Sequence, residues 1–148
     1  MQGVRHKGRA FALQLLYQRE IGQGLGAEEL ELFWRHSGAA RKARDFATEL
    51  VDATTARLPE IDRQLREVLE NWRLERLSVV VRNLLRLAYC EMAIMRVSPF
   101  PVVIDEAVEL ARDFMDEDSA RFVNGVLDKC HPADATGAPP PPSSAGGG

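Results

Sequence analysis

Apolar residues recur at helical spacing along nearly all of the chain up to Pro132, and the breaks between them divide it into about seven helices. From about Arg5 to Ile21, Ala12, Leu15 and Leu16 mark one apolar face with Arg19 on its polar flank, and Phe11 adds to it. Gly22, Gly24 and Gly26 end that helix in a loop. A short helix over Ala27–His36 carries Leu30, Phe33 and Trp34 on one side and stops at Gly38. The next spans about Arg41–Leu58 with Phe46, Leu50, Val51 and Ala53 inward. Pro59 suits the first turn of a fourth, along which Ile61, Leu65, Val68, Leu69 and Trp72 keep the spacing. Ser78 is an N-cap for a long fifth helix, Val79–Met95, apolar on more than one side and therefore central. Ser98-Pro99-Phe100-Pro101 breaks the chain before the sixth helix. Asp118-Ser119 caps the seventh, and His131-Pro132 ends it. The β-branched runs Val79–Val81 and Val102–Ile104 have no strand neighbours of matching period, so helix is expected there too.

Within the last pair of helices, Val103, Ala107, Leu110, Ala111 and Phe114 read as core. The seventh helix carries Asn124-Gly125 in its middle. Gly costs roughly 1 kcal/mol against Ala in a helix interior, and Asn favours caps and turns. Such a pair calls for a close backbone approach, such as a helix crossing, or for a specific polar contact. Residues 1–132 thus form one all-helical domain. Residues 133–148 collapse to Ala, Gly, Pro and Ser, a composition that buries too little apolar area to offset its ordering entropy, and are expected to be a disordered tail.

A chain of 148 residues can bury a core without metal or disulfide staples. A net charge of −3 argues against a globally basic nucleic-acid binder but not against a local basic patch, since exposed charges act over only about 10 Å at moderate salt. Cys90 and Cys130, the only cysteines, sit in apolar stretches outside any CxxC spacing and read as free thiols of a reducing compartment. The N-terminal residues lack the apolar core of a signal peptide, and no apolar run approaches the roughly 20 residues that span a bilayer. A cytoplasmic protein away from membranes is expected.

The acidic run Asp105, Glu106, Glu109 and Asp113 could suggest a carboxylate metal site, but a helical bundle normally builds one from several helices with an ExxH pair, and none of His6, His36 or His131 follows a Glu by three. A solvated or partner-facing side is expected instead, with neither metal nor cofactor. No phosphate loop, GxSxG or placed Cys–His pair supplies nucleophilic chemistry, so the chain does not read as an enzyme. Arg5, His6, Lys7 and Arg9 are different. They crowd the start of the first helix, where the macrodipole is already positive, so their cations are locally unfavourable. An anionic partner would offset that cost; a solvated terminus is the plainer reading. Gln14 and Tyr17 follow one and two turns on, and basic groups interleaved with aromatics suit single-stranded RNA, whose splayed bases stack on rings. Phe122 lies on a stripe with Val126 and Cys130 that fits a core; at an edge it would be a stacking platform.

The segments RHKGRAFALQLLYQ at the start, LLRLAYCEM at Leu84–Met92, and EAVELA and FVNGVLDK within Val102–Lys129 resemble the NusB family of bacterial transcription antitermination factors, over essentially Arg5 to Lys129. The resemblance implies an all-α fold of two packed helical subdomains. It also implies a protein partner, the small-subunit ribosomal protein NusE, with which the family binds the boxA element of ribosomal RNA leader transcripts and helps RNA polymerase pass terminators. By position it implies RNA-facing roles for Arg5, His6, Lys7, Arg9, Gln14, Arg86, Asp118 and Phe122, and a place on the NusE side for Tyr17 and Val81. His6 and Lys7 stand where the family often has arginine, which weakens bidentate phosphate contacts, and Val81 stands where an acid is common. Two alternatives compete with this reading. One is a homodimeric helical interaction module whose RNA face is occluded. The other is the helical accessory domain of a ribosomal RNA cytosine methyltransferase, which needs a following cofactor-binding α/β domain that the Pro/Gly tail does not resemble.

Overall fold

The computed structural model describes residues 3–22 and 26–130. The expectations at Gly24, at His131-Pro132 and for the tail 133–148 lie outside the described residues. Seven α-helices follow one another: α1 Val4–Ile21, α2 Ala27–Ser37, α3 Arg41–Ala56, α4 Leu58–Val68, α5 Val79–Tyr89, α6 Phe100–Phe114 and α7 Glu117–Cys130. A 3-10 turn at Leu74–Arg76 precedes α5, and a π-helical turn at Cys90–Met95 extends it. There is no strand among the described residues, and both β-branched runs are helical.

Two helical subdomains, α1–α3 and α4–α7, pack into one continuous core. In the first, α1 lies along α3, and α2 is held by the edge-to-face rings of Phe11, Phe33 and Trp34, with centroids 5.0–6.3 Å apart. In the second, α6 and α7 form a hairpin against α5. Helix α5 touches both groups, as its apolarity on several sides requires: Val81, Leu84, Leu85, Leu87 and Ala88 are all buried. Its Ser78 cap is present, the hydroxyl accepting from the Val81 N–H at 3.2 Å. Helix α5 runs antiparallel to α1, because Arg9 meets Glu91 while Glu20 meets Asn83.

Five sequence expectations change. The fifth helix does not stay α-helical to Met95; it widens after Tyr89, and Arg96, left-handed at φ 55°, ends the turn with its N–H on the Glu91 carbonyl at 2.8 Å. Helix α7 is capped by Asp116, not by Asp118-Ser119: the Asp116 carboxylate accepts from the Ser119 N–H at 2.8 Å, which holds its pKa below the usual range. Trp72 and Phe114, expected inside, are exposed, because α4 stops at Val68 before the stripe reaches Trp72 and α6 turns Phe114 outward in its last turn. The close crossing expected at Gly125 is also elsewhere. A Cβ on Gly125 would meet nothing within 4 Å, whereas one on Gly8 would come within 2.9 Å of Phe46 Cδ2 and 3.0 Å of the Ala43 carbonyl. The residue that lets two helices approach is Gly8, at the α1–α3 contact.

Candidate nucleic-acid interface

The basic start of α1 divides into an inner and an outer half. Arg9 points inward and is 7% exposed. Its Nε and Nη2 donate to the two carboxylate oxygens of Glu91 at 2.8 and 2.6 Å, and Nη1 lies 3.2 Å from Glu106 Oε1. Glu91, on the π turn, is 1% exposed. Burial by itself would lower the Arg9 pKa; the hydrogen bonds and charge of Glu91, then Glu106, outweigh it and raise the value above the ordinary one. His6 Nδ1 stands 2.6 Å from the same Glu106 oxygen. Two acids from distant segments, Glu91 and Glu106, therefore offset the cost of placing Arg9 near a helix N-terminus.

The outer half keeps its charge. Arg5 is exposed and donates from Nη1 to the Val97 carbonyl at 2.7 Å and the Ser98 hydroxyl at 3.0 Å, both neutral acceptors. Its guanidinium also lies over the Phe46 ring, 5.5 Å from the centroid. Lys7 is exposed and pairs with no acid among the described residues. Arg5 and Lys7, two residues apart and so on different sides of the first turns of α1, are the cations of this cluster without an acid partner among the described residues, whereas the donors of Arg9 are bound inside.

Arg86 is likewise committed. Its Nε and Nη2 donate to the Asp62 carboxylate at 2.8 and 2.9 Å, and Nη1 donates to Asn83 Oδ1 at 3.0 Å. With Glu20 and Arg82 this network ties α1, α4 and α5 together at the end of α5 away from Arg9.

At that same end the other candidates gather. Val81, Asp118 and Phe122 line one hollow of about 410 Å³, together with Trp72, Leu77 and Met115. Val81 is buried, so it shapes the floor and offers no exposed contact. Asp118 is open to solvent and, among the described residues, bonded to Arg121 alone. Phe122 is half-buried, at the edge its stripe left open, edge-to-face with Trp72 at 5.5 Å. Tyr17 and Gln14 share a second, apolar hollow of about 230 Å³ with Leu13, Val80 and Phe114. The α1 cluster and the Phe122 hollow are separated by about the length of α5, roughly 15 Å at 1.5 Å per residue. One small ligand cannot touch both; an extended chain can.

Nothing in the sequence singles out Glu106 as a partner of Arg9, or Ser98, Phe114 or Trp72 for this surface. Only the mid-chain Glu91, alone in an apolar stretch, carries a local signal of a buried partner. Among the described residues no group of three or more His, Cys, Asp or Glu could hold a metal ion, and no helix is long and apolar enough to cross a membrane.

A sequence profile of the NusB family matches residues 6–132. The transcription antitermination protein NusB of Sorangium cellulosum is 40% identical over 127 residues, covering 86% of this chain and 91% of the relative. Among solved structures, NusB of T. maritima superposes with a TM-score of 0.74 at 35% identity, covering 87% of this chain and 91% of that one. A crystal structure of antitermination factors NusB and NusE in complex with double-stranded RNA superposes with a TM-score of 0.77 at 28% identity, covering 87% and 96%.

Proposed function

The chain belongs to the NusB family, and on that premise we propose that it is a non-enzymatic, cytoplasmic RNA-binding factor of transcription antitermination. In this reading it acts with NusE on the boxA RNA of ribosomal RNA operons, as part of an RNA polymerase antitermination complex. The observation that carries the reading is the Arg5–Lys7 helix end: two exposed cations, Arg5 held on the Val97 carbonyl, beside the buried Arg9–Glu91 pair and with no acid partner among the described residues. A phosphate backbone is the ligand such a helix end fits. Arg9 and His6 then position that helix end, and Arg86 positions the far end of α5. Asp118, an anion, repels phosphate, so its contribution is to accept a hydrogen bond from a base edge. Gln14 and Phe122 complete the RNA side. Tyr17 and Phe114, exposed over the apolar hollow with Val80, form the protein-partner side, for which Val81 sets the shape. The fold neighbour bound to NusE and RNA supports an arrangement in which both partners are held at once.

Gel-shift titration of boxA RNA with the chain, with and without NusE, tests this. Tight binding that NusE strengthens and that Arg5→Ala/Lys7→Ala weakens is expected. Equal binding by the double variant removes the RNA role of the two cations. A stable homodimer in light scattering that neither RNA nor NusE dissociates would instead assign the apolar side to a second copy.

A further inference from the structure

We propose that Trp72, with the hollow that opens over Gly125, is a stacking site for one unpaired nucleobase, extending the RNA surface beyond Phe122; the inference rests on the RNA-binding reading above. Trp72 lies in the short segment between α4 and the 3-10 turn, 59% exposed. Trp is normally well covered, so a bare indole calls for an explanation. It is not bare through looseness. Leu69 and Leu74, on either side, are buried and pin the segment, and Phe122 supports the ring edge-to-face at 5.5 Å. The result is an exposed aromatic plate, backed by Phe122, that lines two hollows.

The smaller hollow, about 240 Å³, runs from Trp72 and Phe122 across Gly125 to Lys129. It falls just below the roughly 300–1,000 Å³ of sites for drug-sized ligands, a scale suited to a single base. Gly125 is what keeps it open. No helix crosses there, and a side chain at that position would project into free space, so packing does not explain the glycine. A requirement for unobstructed space beside an aromatic plate does. The rim favours an anionic polymer. Lys129 on one side and Arg76 on the other pair with no acid among the described residues, Asp118 is paired with Arg121, and Glu70 is the remaining acid of the lining. Base stacking on an aromatic ring with nearby cations is the general mode of single-strand recognition, and it tolerates any base. The site is also continuous with Asp118 and Phe122, so a strand lying along that face reaches it.

The test uses the full chain, boxA RNA and NusE, read by anisotropy and by intrinsic fluorescence; the other tryptophan, Trp34, is buried, so quenching by RNA reports Trp72. Wild type is expected to be quenched by RNA. Trp72→Ala should weaken RNA binding by roughly five- to a hundredfold, the effect of one stacked base, and Trp72→Phe should restore most of it. Gly125→Leu should weaken binding with no loss in melting temperature. A single abasic position in the RNA should reproduce the loss in wild type and add nothing in Trp72→Ala. If wild type binds RNA and Trp72→Ala binds it equally well, this inference fails while the RNA reading stands. Loss of NusE affinity alone in Trp72→Ala overturns it in favour of a protein contact. Absence of RNA binding by wild type, with or without NusE, defeats both.

Discussion

Arg5, His6, Lys7 and Arg9 occupy less than two turns of one helix, yet their surroundings give them opposite tasks. Arg9 completes a bidentate pair in which both partners are out of water, so Arg9→Ala strands the Glu91 carboxylate in the core. Breaking one side of such a pair typically costs about 3–5 kcal/mol, which urea denaturation should show for Arg9→Ala. Lys7→Ala should stay within about 0.5 kcal/mol of wild type in the same assay, as expected of a surface change. The cluster itself was legible in the sequence, because cations at a helix N-terminus are conspicuous. Its division was not: Glu91 and Glu106 lie 82 and 97 residues from Arg9, and no local pattern reports a pairing at that range. The thiols behave as their apolar settings suggested. Burial pushes the Cys130 thiol up to about 11, and Cys90 also rises. Because the unfolded chain ionises first, near the ordinary thiol value, stability should fall as pH rises from about 9 towards 11. Urea midpoints at pH 8 and pH 10.5 measure this, and Cys130→Ser should narrow the difference.

Helix boundaries followed from periodicity and punctuation, and the errors fall where tertiary geometry overrides both. Asn124-Gly125 was visible as a costly pair in the seventh helix, but cost alone does not say whether the glycine makes room for a neighbouring helix or leaves room beside one. Gly8 drew no notice within a basic, polar stretch, although it is the point where α1 and α3 come closest to obstruction. The two glycines therefore predict opposite signs. Gly125→Ala should raise stability by roughly 0.5–1 kcal/mol through helix propensity. Gly8→Ala gains the same propensity but drives a methyl onto Phe46 and the immovable Ala43 carbonyl, and should lower stability by about 1–3 kcal/mol. Thermal melts of the two variants decide the signs directly. The π turn after α5 was equally invisible in sequence, since its hydrogen bond from Arg96 to Glu91 leaves no compositional mark.

At the scale of the molecule, α5 is the ruler. One end carries Arg5 and Lys7 beside the Arg9–Glu91 pair, and the other carries Asp118, Phe122 and Trp72, with the apolar Tyr17–Phe114 surface between α1 and α6. All-helical architecture was readable from the spacing of apolar residues; the division into two subdomains came with the family resemblance, because their separation lies in which helices touch. In the proposed function, Arg5 and Lys7 neutralise RNA phosphates. Counterion release makes affinity for a single strand fall with salt, the slope of log K against log salt being about −0.7 per neutralised phosphate. The decisive measurement is the salt dependence of boxA affinity, with NusE present, for wild type and Arg5→Ala/Lys7→Ala. A slope shallower by roughly 1.4 in the double variant is the predicted result, and parallel lines of equal slope would contradict it.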